Sequence, residues 1–530
     1  MLSDAADLAS DQQIQTDVCI IGAGPAGISI AHELRGTDIG VWLLESGGRD
    51  VERRAQRRNR GQSVGYPIHR LHQSRIRAFG GTSRHWFTPS DDTWAARPLD
   101  PIDFEVRPGI RYSGWPFDRA HLDPYYAHAQ AVCRLGPYMY EPTHWADGLG
   151  PDLLPRLGDV ETTLFQRGRY DFNGFYDGLV HAPNVTLLLH ASVVDLATDE
   201  DPGRVDRVEV RREDGTSCFV RARLVVLAAG GIENPRLLLL SRRVHQRGLG
   251  NDRDLVGRFF AERLSARTGY VIPEKPEVAQ RDEFSAVQAV RDAVVQRALR
   301  VSDAVQRERQ LLNCAFLLMT RNLSMTAESF RSLATLVKAT RRWPLPDDVF
   351  GHASNIATGL TDLGALARDR VRPRDVSSVL AVRVQAEQAP NPESRVTLGS
   401  RRDQFGLPVA RVAWRPVASD RASIRASQQT LDAALRAAGI GRMRFMLGDE
   451  RPAALFEGNF HHLGATRMHT DPGKGVVDAD CRVHGIRNLY VAGSSVFPTY
   501  GCSNPTLTVV ALALRLADHL RKELAYARAP

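Results

Sequence analysis

Two histidines stand side by side at His461 and His462, and Asn504 opens what reads as a helix about 40 residues later, with Cys502 and Ser503 beside it. An imidazole is neutral near pH 7 and suited to taking a proton from a hydroxyl group. A carboxamide at the mouth of a helix can hold that hydroxyl in place. If the histidine segment is extended, the two rings point to opposite faces and only one of them serves a given site. A histidine pair alone is more often structural than catalytic, and it is the nearby Asn504 that raises its interest.

The second constellation lies more than 400 residues earlier. Gly22-Ala-Gly-Pro-Ala-Gly27 follows the apolar run Asp17–Ile21 and precedes Ile28–Leu34, which has helical spacing. A further apolar run, Val41–Leu44, ends in Glu45. This is the β-α-β pattern of a dinucleotide loop. Gly22 permits the tight turn, Gly24 lets the backbone approach a pyrophosphate, and Gly27 lets helix and strand pack closely. The pyrophosphate would rest on the helix N-terminus. Glu45 would accept hydrogen bonds from ribose hydroxyls and disfavour a 2′-phosphate. The loop itself does not separate FAD from NAD.

The elements that must position these groups follow from the surrounding pattern. Asn488–Ser494 reads as a strand ending at a close approach to a ligand. Pro505 and Thr506 begin a helix whose Leu507, Val510, Ala511, Leu514 and Ala517 form one buried stripe. Strands are expected at 185–189, 205–212, 217–220 and 224–229, the middle two as a hairpin around Glu213-Asp-Gly. Helices are expected at 123–133, 234–240 and 421–438, and strands at 379–385 and 394–398. Residues 265–375 show few motifs and read as long helical stretches.

Composition narrows the class. The chain has 530 residues, 43% hydrophobic and 25% charged, as in a globular protein of two or more domains. No apolar run reaches the length of a membrane span, and the polar N-terminus lacks the apolar core of a signal peptide. Six scattered cysteines without a CxxC motif fit a reducing cytoplasm rather than a disulfide framework or zinc site. The net charge of +8 comes from arginine, since lysine occurs only at 275, 338, 474 and 522. The densest cluster, Arg49–Arg60, reads as a solvated surface stretch, and no nucleic-acid module accompanies it. Nothing in the sequence sets an oligomeric state.

Taken together, GAGPAG with Glu45, Phe79-Gly-Gly-Thr-Ser-Arg-His-Trp86, Ala228-Ala-Gly-Gly-Ile-Glu-Asn-Pro235 and the tail from Phe460 to the last helix resemble the glucose–methanol–choline (GMC) oxidoreductases. Within that family the resemblance is to the pyranose-oxidase and bacterial glycoside oxidase–dehydrogenase branch. It implies an α/β fold, with a Rossmann-like FAD domain assembled from 1–110, 185–265 and 451–530. A substrate domain with an antiparallel sheet would comprise 111–184 and 266–450. It implies FAD as cofactor, held by Gly22, Gly24, Gly27, Glu45, Gly80, Gly81, Ser83, His85, Val193, Gly230, Gly493, Ser494, Pro505 and Thr506. In His461-His-Leu-Gly-Ala-Thr-Arg-Met468 the base falls on His461, with Asn504 as its partner. His85 matches a position that in some members is joined covalently to the flavin and in others only packs near it; both readings stay open. The last helix would aim its N-terminus at the flavin's pyrimidine end. His469 stands where the family has glycine, and Phe87 where a threonine borders the flavin.

The implied activity is oxidation of an alcohol group of a sugar, glycoside or aminoglycoside, with hydride passing to the flavin and on to oxygen, a quinone or another acceptor. Gln385, on a strand of the substrate domain, could bond a polyol or be merely structural. Three other readings share parts of the pattern. They are oxidation of a steroid or aromatic alcohol, which calls for an apolar pocket in 265–375, an FAD-containing lyase, and a noncatalytic dinucleotide-binding module.

Overall fold

The strand that feeds the Gly-rich loop runs from Gln13 to Ile21, and its last residues are fully buried among valines and isoleucines. The computed structural model describes residues 1–86, 93–149, 158–279, 287–322, 378–446 and 456–526, with single positions 333, 336, 353 and 356. Phe87 lies outside the described residues, as does most of 323–377.

Gln13–Ile21 sits at the centre of an eight-stranded sheet. On one side it pairs in parallel with Val41–Leu44, which pairs with Val185–Leu189 and then Leu2–Asp4. On the other it pairs in parallel with Ser217–Leu227. That strand also takes Leu489–Val491 in parallel, and Arg207–Arg211 then Ser192–Ala197 continue the edge antiparallel. Val225–Leu227 is thus flanked by residues 19–21 on one side and 489–491 on the other. The early and late segments meet on one strand. Helix Thr506–Tyr526 closes this layer against Pro25–Leu34 and Arg119–Val132.

The second sheet, also eight-stranded, is antiparallel: Gly441–Phe445, Leu264–Pro273, Ser378–Ala386, Cys314–Asn322, Ala293–Val301, Val160–Gly168 and Trp94–Ala96 in order, with Val287–Val290 on Ala293–Val301. Its apolar face packs against Ala418–Ala437, whose Ile424, Leu431 and Leu435 are buried with Phe316, Val382 and Val384. A three-stranded sheet joins Arg395–Arg402, Pro408–Trp414 and Gln62–Gly65.

The helical expectation for 265–375 does not hold where the structure describes it. Leu264–Pro273, Ala293–Val301 and Cys314–Asn322 are strands, and the only helix of more than one turn among these described residues is Asp303–Arg309. Arg, Ala and Leu favour helix by intrinsic propensity, but pairing and burial in a sheet decide here. The helix expected from Asn234 begins at Gly230, which places Pro235 inside it. The two segments expected at 217–220 and 224–229 are one strand.

Candidate active site

A cleft opens where the two ends of the chain meet. Gly22, Gly24, Glu45, Gly81, Gly230, His461, Gly493, Ser494, Pro505 and Thr506, all singled out in the sequence, border it. Val193 borders a smaller cavity that shares Gly22, Ser46, Arg77, Ala229 and Glu233 with the main one.

The glycines explain the cleft's shape. Gly22 has φ 108°, and a Cβ there would stand 2.7 Å from the Ala228 carbonyl oxygen. A Cβ on Gly27 would lie 2.0 Å from the Gly22 carbonyl oxygen, so helix and strand touch backbone to backbone. At Gly24, Gly230 and Gly493 the opposite holds: a Cβ would meet no protein atom within 4 Å. These three backbones line an open cradle that side chains would fill, and with the N-terminus of Pro25–Leu34 they fit a bound dinucleotide. Glu45 borders the cradle, its oxygens accepting the Ala23 and Gly47 amides at 3.0 and 2.8 Å. Oε1 also accepts the Ser46 hydroxyl at 3.5 Å, and Oε2 keeps a second lone pair for a ribose hydroxyl.

Ser83 and His85 lie elsewhere. Ser83 is fully buried, donating its hydroxyl to the Gly80 carbonyl at 2.7 Å and accepting the Phe172 amide at 3.1 Å. Gly80, in the left-handed region at φ 91°, supports the same turn by donating its amide to the Ala23 carbonyl. His85 is exposed at the end of the short helix Gly81–His85 and does not border the cleft, whereas Thr82 and Trp86 do. A bond from His85 to a group in the cleft therefore has no support in this arrangement.

His461 borders the cleft, and behind it, outside the lining, are Asn504 and two residues not singled out in the sequence, Glu262 and Arg263. Phe460 has φ 62°, an uncommon value for a side-chain-bearing residue, and delivers His461 to the wall. Glu262 Oε2 accepts the amides of Asn459 and His461, each at 3.0 Å, and clamps this turn. His461 Nδ1 is sealed from solvent with no partner among the described residues. Nε2 is left as the accessible nitrogen. Burial, then Arg263 and His462, hold the His461 pKa well below 6.5. His462 borders the same cleft, but its Nε2 stands 3.3 Å from Glu262 Oε1 and its carbonyl accepts the Ser494 hydroxyl at 2.7 Å. Burial, then Arg75 and His69, hold its pKa at about 3. Burial raises Glu262 to about 7, against the lowering pull of the His461 and Asn459 amides and of Arg263.

Asn504 is half-buried one residue before the helix mouth. Arg263 Nη1 donates to Asn504 Oδ1 at 2.7 Å, to Gln385 Oε1 at 2.9 Å and to the Cys502 carbonyl at 3.4 Å. A guanidinium has no acceptor, so the carboxamide must turn its oxygen to Arg263 and its NH₂ outward. Burial lowers the Arg263 pKa only to about 10, so it stays a cation. A sequence hint existed: an adjacent acid and base interrupt the apolar run Phe259–Leu264. His461 and Asn504 are thus set by a second layer, Glu262 clamping a backbone turn and Arg263 a side chain.

Residues 390–513 match the family model described as GMC oxidoreductase. The chain is similar to the fructose dehydrogenase large subunit of Gluconobacter japonicus, 24% identical over 97% of this chain and 99% of that protein. It is also similar to the C-glycoside 3-oxidase of Microbacterium trichothecenolyticum, 26% identical over 96% and 97%. Among solved structures, a formate oxidase of Aspergillus oryzae, studied for its FAD modification, superposes with a TM-score of 0.57 at 16% identity, covering 98% of this chain and all of that one. With a cradle that fits FAD and relatives aligned end to end, residues 390–513 are a GMC oxidoreductase domain, the chain is similar to such enzymes over its length, and it is an FAD-dependent oxidoreductase.

Proposed function

We propose that the enzyme oxidises an alcohol group of a sugar or glycoside to a carbonyl, with His461 as base. The observation that carries this is a histidine held neutral at the cleft wall, with Arg263 beside it holding the Asn504 carboxamide with its NH₂ outward. When bound, FAD accepts the hydride that leaves the carbinol carbon. His461 Nε2 takes the hydroxyl proton, and a depressed pKa keeps that nitrogen free over a wide pH range. Asn504 donates to the same oxygen, fixing its distance and favouring the negative charge that grows there as the proton leaves. Arg263 prevents the carboxamide from flipping and adds a fixed positive charge behind it.

The sugar substrate rests on relatives similar over nearly the whole chain, which include a fructose dehydrogenase and a C-glycoside oxidase. Electrons would leave to oxygen, a quinone or another acceptor. The six free cysteines are all buried and support a reducing compartment such as the cytoplasm. Among the described residues no helix is long and apolar enough to cross a membrane.

An anaerobic screen over alcohols, sugars and glycosides, reading loss of the flavin's absorption near 450 nm, tests the reading. A sugar or glycoside should bleach the band, and readmitting air or a quinone should restore it. Conversion of a substrate without bleaching would point to lyase chemistry instead.

A further inference from the structure

The antiparallel sheet turns two unlike faces. On Ser378–Ala386, Val382, Val384 and Ala386 are buried in the apolar core, and the alternate residues Arg383 and Gln385 are half-exposed. Gln385 shows where this second face looks, because its Oε1 shares Arg263 Nη1 with Asn504. The register carries arginines along the same face. Ser265 stands opposite Gln385 and Arg267 opposite Arg383, and Arg383 Nε donates to Ser265 Oγ at 2.9 Å. Arg263 thus stands at the Asn504 end of this face, with Arg383 and Arg267 side by side further along the paired strands.

This row is costly as it stands. Like charges directly opposite on antiparallel strands repel. Arg263 is buried and, among the described residues, has no carboxylate partner, since neighbouring Glu262 turns its oxygens to Asn459, His461 and His462. Arg383 lies close enough to Arg263 to contribute to its lowered pKa. Among the described residues, the acid that meets the row is Glu457, 3.6 Å from Arg383 and 73% exposed. Arg267 is exposed. Costs of this kind in a folded protein call for a compensating ligand.

We infer that Arg383 and Arg267, continuing from Arg263, form an anion subsite of the substrate pocket, and that the enzyme's substrate is an anionic sugar, carboxylated or phosphorylated, rather than a neutral or amino sugar. The inference rests on the sugar reading above. Two residues of strand, about 7 Å, separate Gln385 from Arg383. A sugar ring with its reacting carbon between His461 and Asn504 can then extend a charged substituent to the arginine row. Guanidinium groups suit carboxylate and phosphate alike.

The test compares four methyl glycosides of one sugar with the holoenzyme: neutral, 6-carboxylate, 6-phosphate and 6-amino. Anaerobic stopped-flow bleaching gives the second-order rate of flavin reduction for each. The carboxylate or the phosphate should exceed the neutral glycoside by about 10-fold or more, with the amine slowest, and the preference should shrink at high salt. Whichever anion leads identifies the group. Arg267→Gln and Arg383→Gln should each cut the anion preference severalfold, through the dissociation constant more than the limiting rate. Calorimetric binding of the favoured glycoside to His461→Ala holoenzyme provides a readout without turnover, and the added Arg267→Gln/Arg383→Gln pair should weaken it about 10-fold or more. A neutral or amino glycoside that matches or outpaces both anions would overturn the inference and leave sugar oxidation standing, as would unchanged binding in the triple variant. If no glycoside bleaches the flavin and a non-sugar alcohol does, the sugar reading fails and this one falls with it.

Discussion

Arg263 Nη1 lies 2.7 Å from Asn504 Oδ1, so one buried cation decides which end of the carboxamide meets the substrate. The same cation lowers the pKa of His461. His461 and Asn504 are thereby coupled through one residue.

Replacing His461 with alanine removes the proton acceptor. Flavin reduction in stopped flow should slow by about 10² to 10⁴, with FAD content unchanged. Near-native reduction would remove His461 from the mechanism.

In the native enzyme the acid limb of the reduction rate should fall well below pH 6.5, because the free imidazole persists to lower pH. Arg263→Met removes a cation that disfavours the protonated ring, so the limb should move upward. The rate at the optimum should also drop by about 10-fold or more as Asn504 loses its anchor. A limb that stays in place would mean that Arg263 does not act on His461.

Gly24→Ala and Gly27→Ala should part company. Position 24 has open space for a methyl group, and its backbone needs no left-handed conformation. That variant should fold with a loss of no more than about 1 kcal/mol, yet purify depleted of flavin, read from its absorbance ratio. At position 27 the methyl group would collide with the Gly22 carbonyl, and the thermal midpoint itself should fall.

Glu262 gives the protein a pH-dependent weakness. Its carboxyl ionises near 4.5 in an unfolded chain and near 7 in the folded one. Over that interval the folded state holds more protons, so stability declines as pH rises and the loss is complete above about 7. Glu262→Gln keeps an oxygen for the Asn459 and His461 amides and offers an NH₂ to His462. The variant should flatten this slope, a difference on the order of 2–3 kcal/mol between pH 4.5 and 8. Parallel denaturation curves for the two proteins would refute the assignment.

Acid precipitation should release the flavin into the supernatant, since His85 is exposed and away from the cleft. Colour retained in the pellet would restore the covalent reading.

Much of this site was legible because its parts are punctuated. The Gly-rich loop, Glu45 and the Asn504-Pro505 helix start each carry a local reason for their residues, and the structure brings them to one cleft. Other parts had no local signature. Glu262 and Arg263 act through partners about 200 residues or more away in sequence. Of the strands after residue 264, Ala293–Val301 and Cys314–Asn322 carry Ala, Leu, Met, Gln and Arg that also suit a helix, so their neighbours in the sheet decide. Ser83 lies in a recognisable motif, but serves the turn rather than the cleft.

The strand Ser217–Leu227 sits between Gln13–Ile21 and Leu489–Val491. A ribosome adding about 10 residues per second needs on the order of 40 s to travel from the Gly-rich loop to the strand that ends before Gly493. Throughout that interval the nascent chain has half a cradle and one unpaired strand edge facing water, so it depends on whatever keeps exposed edges from joining one another. The cradle is therefore incomplete until residues 489–506 have been made, and a chain stalled short of residue 489 would lack the Gly493 side of it.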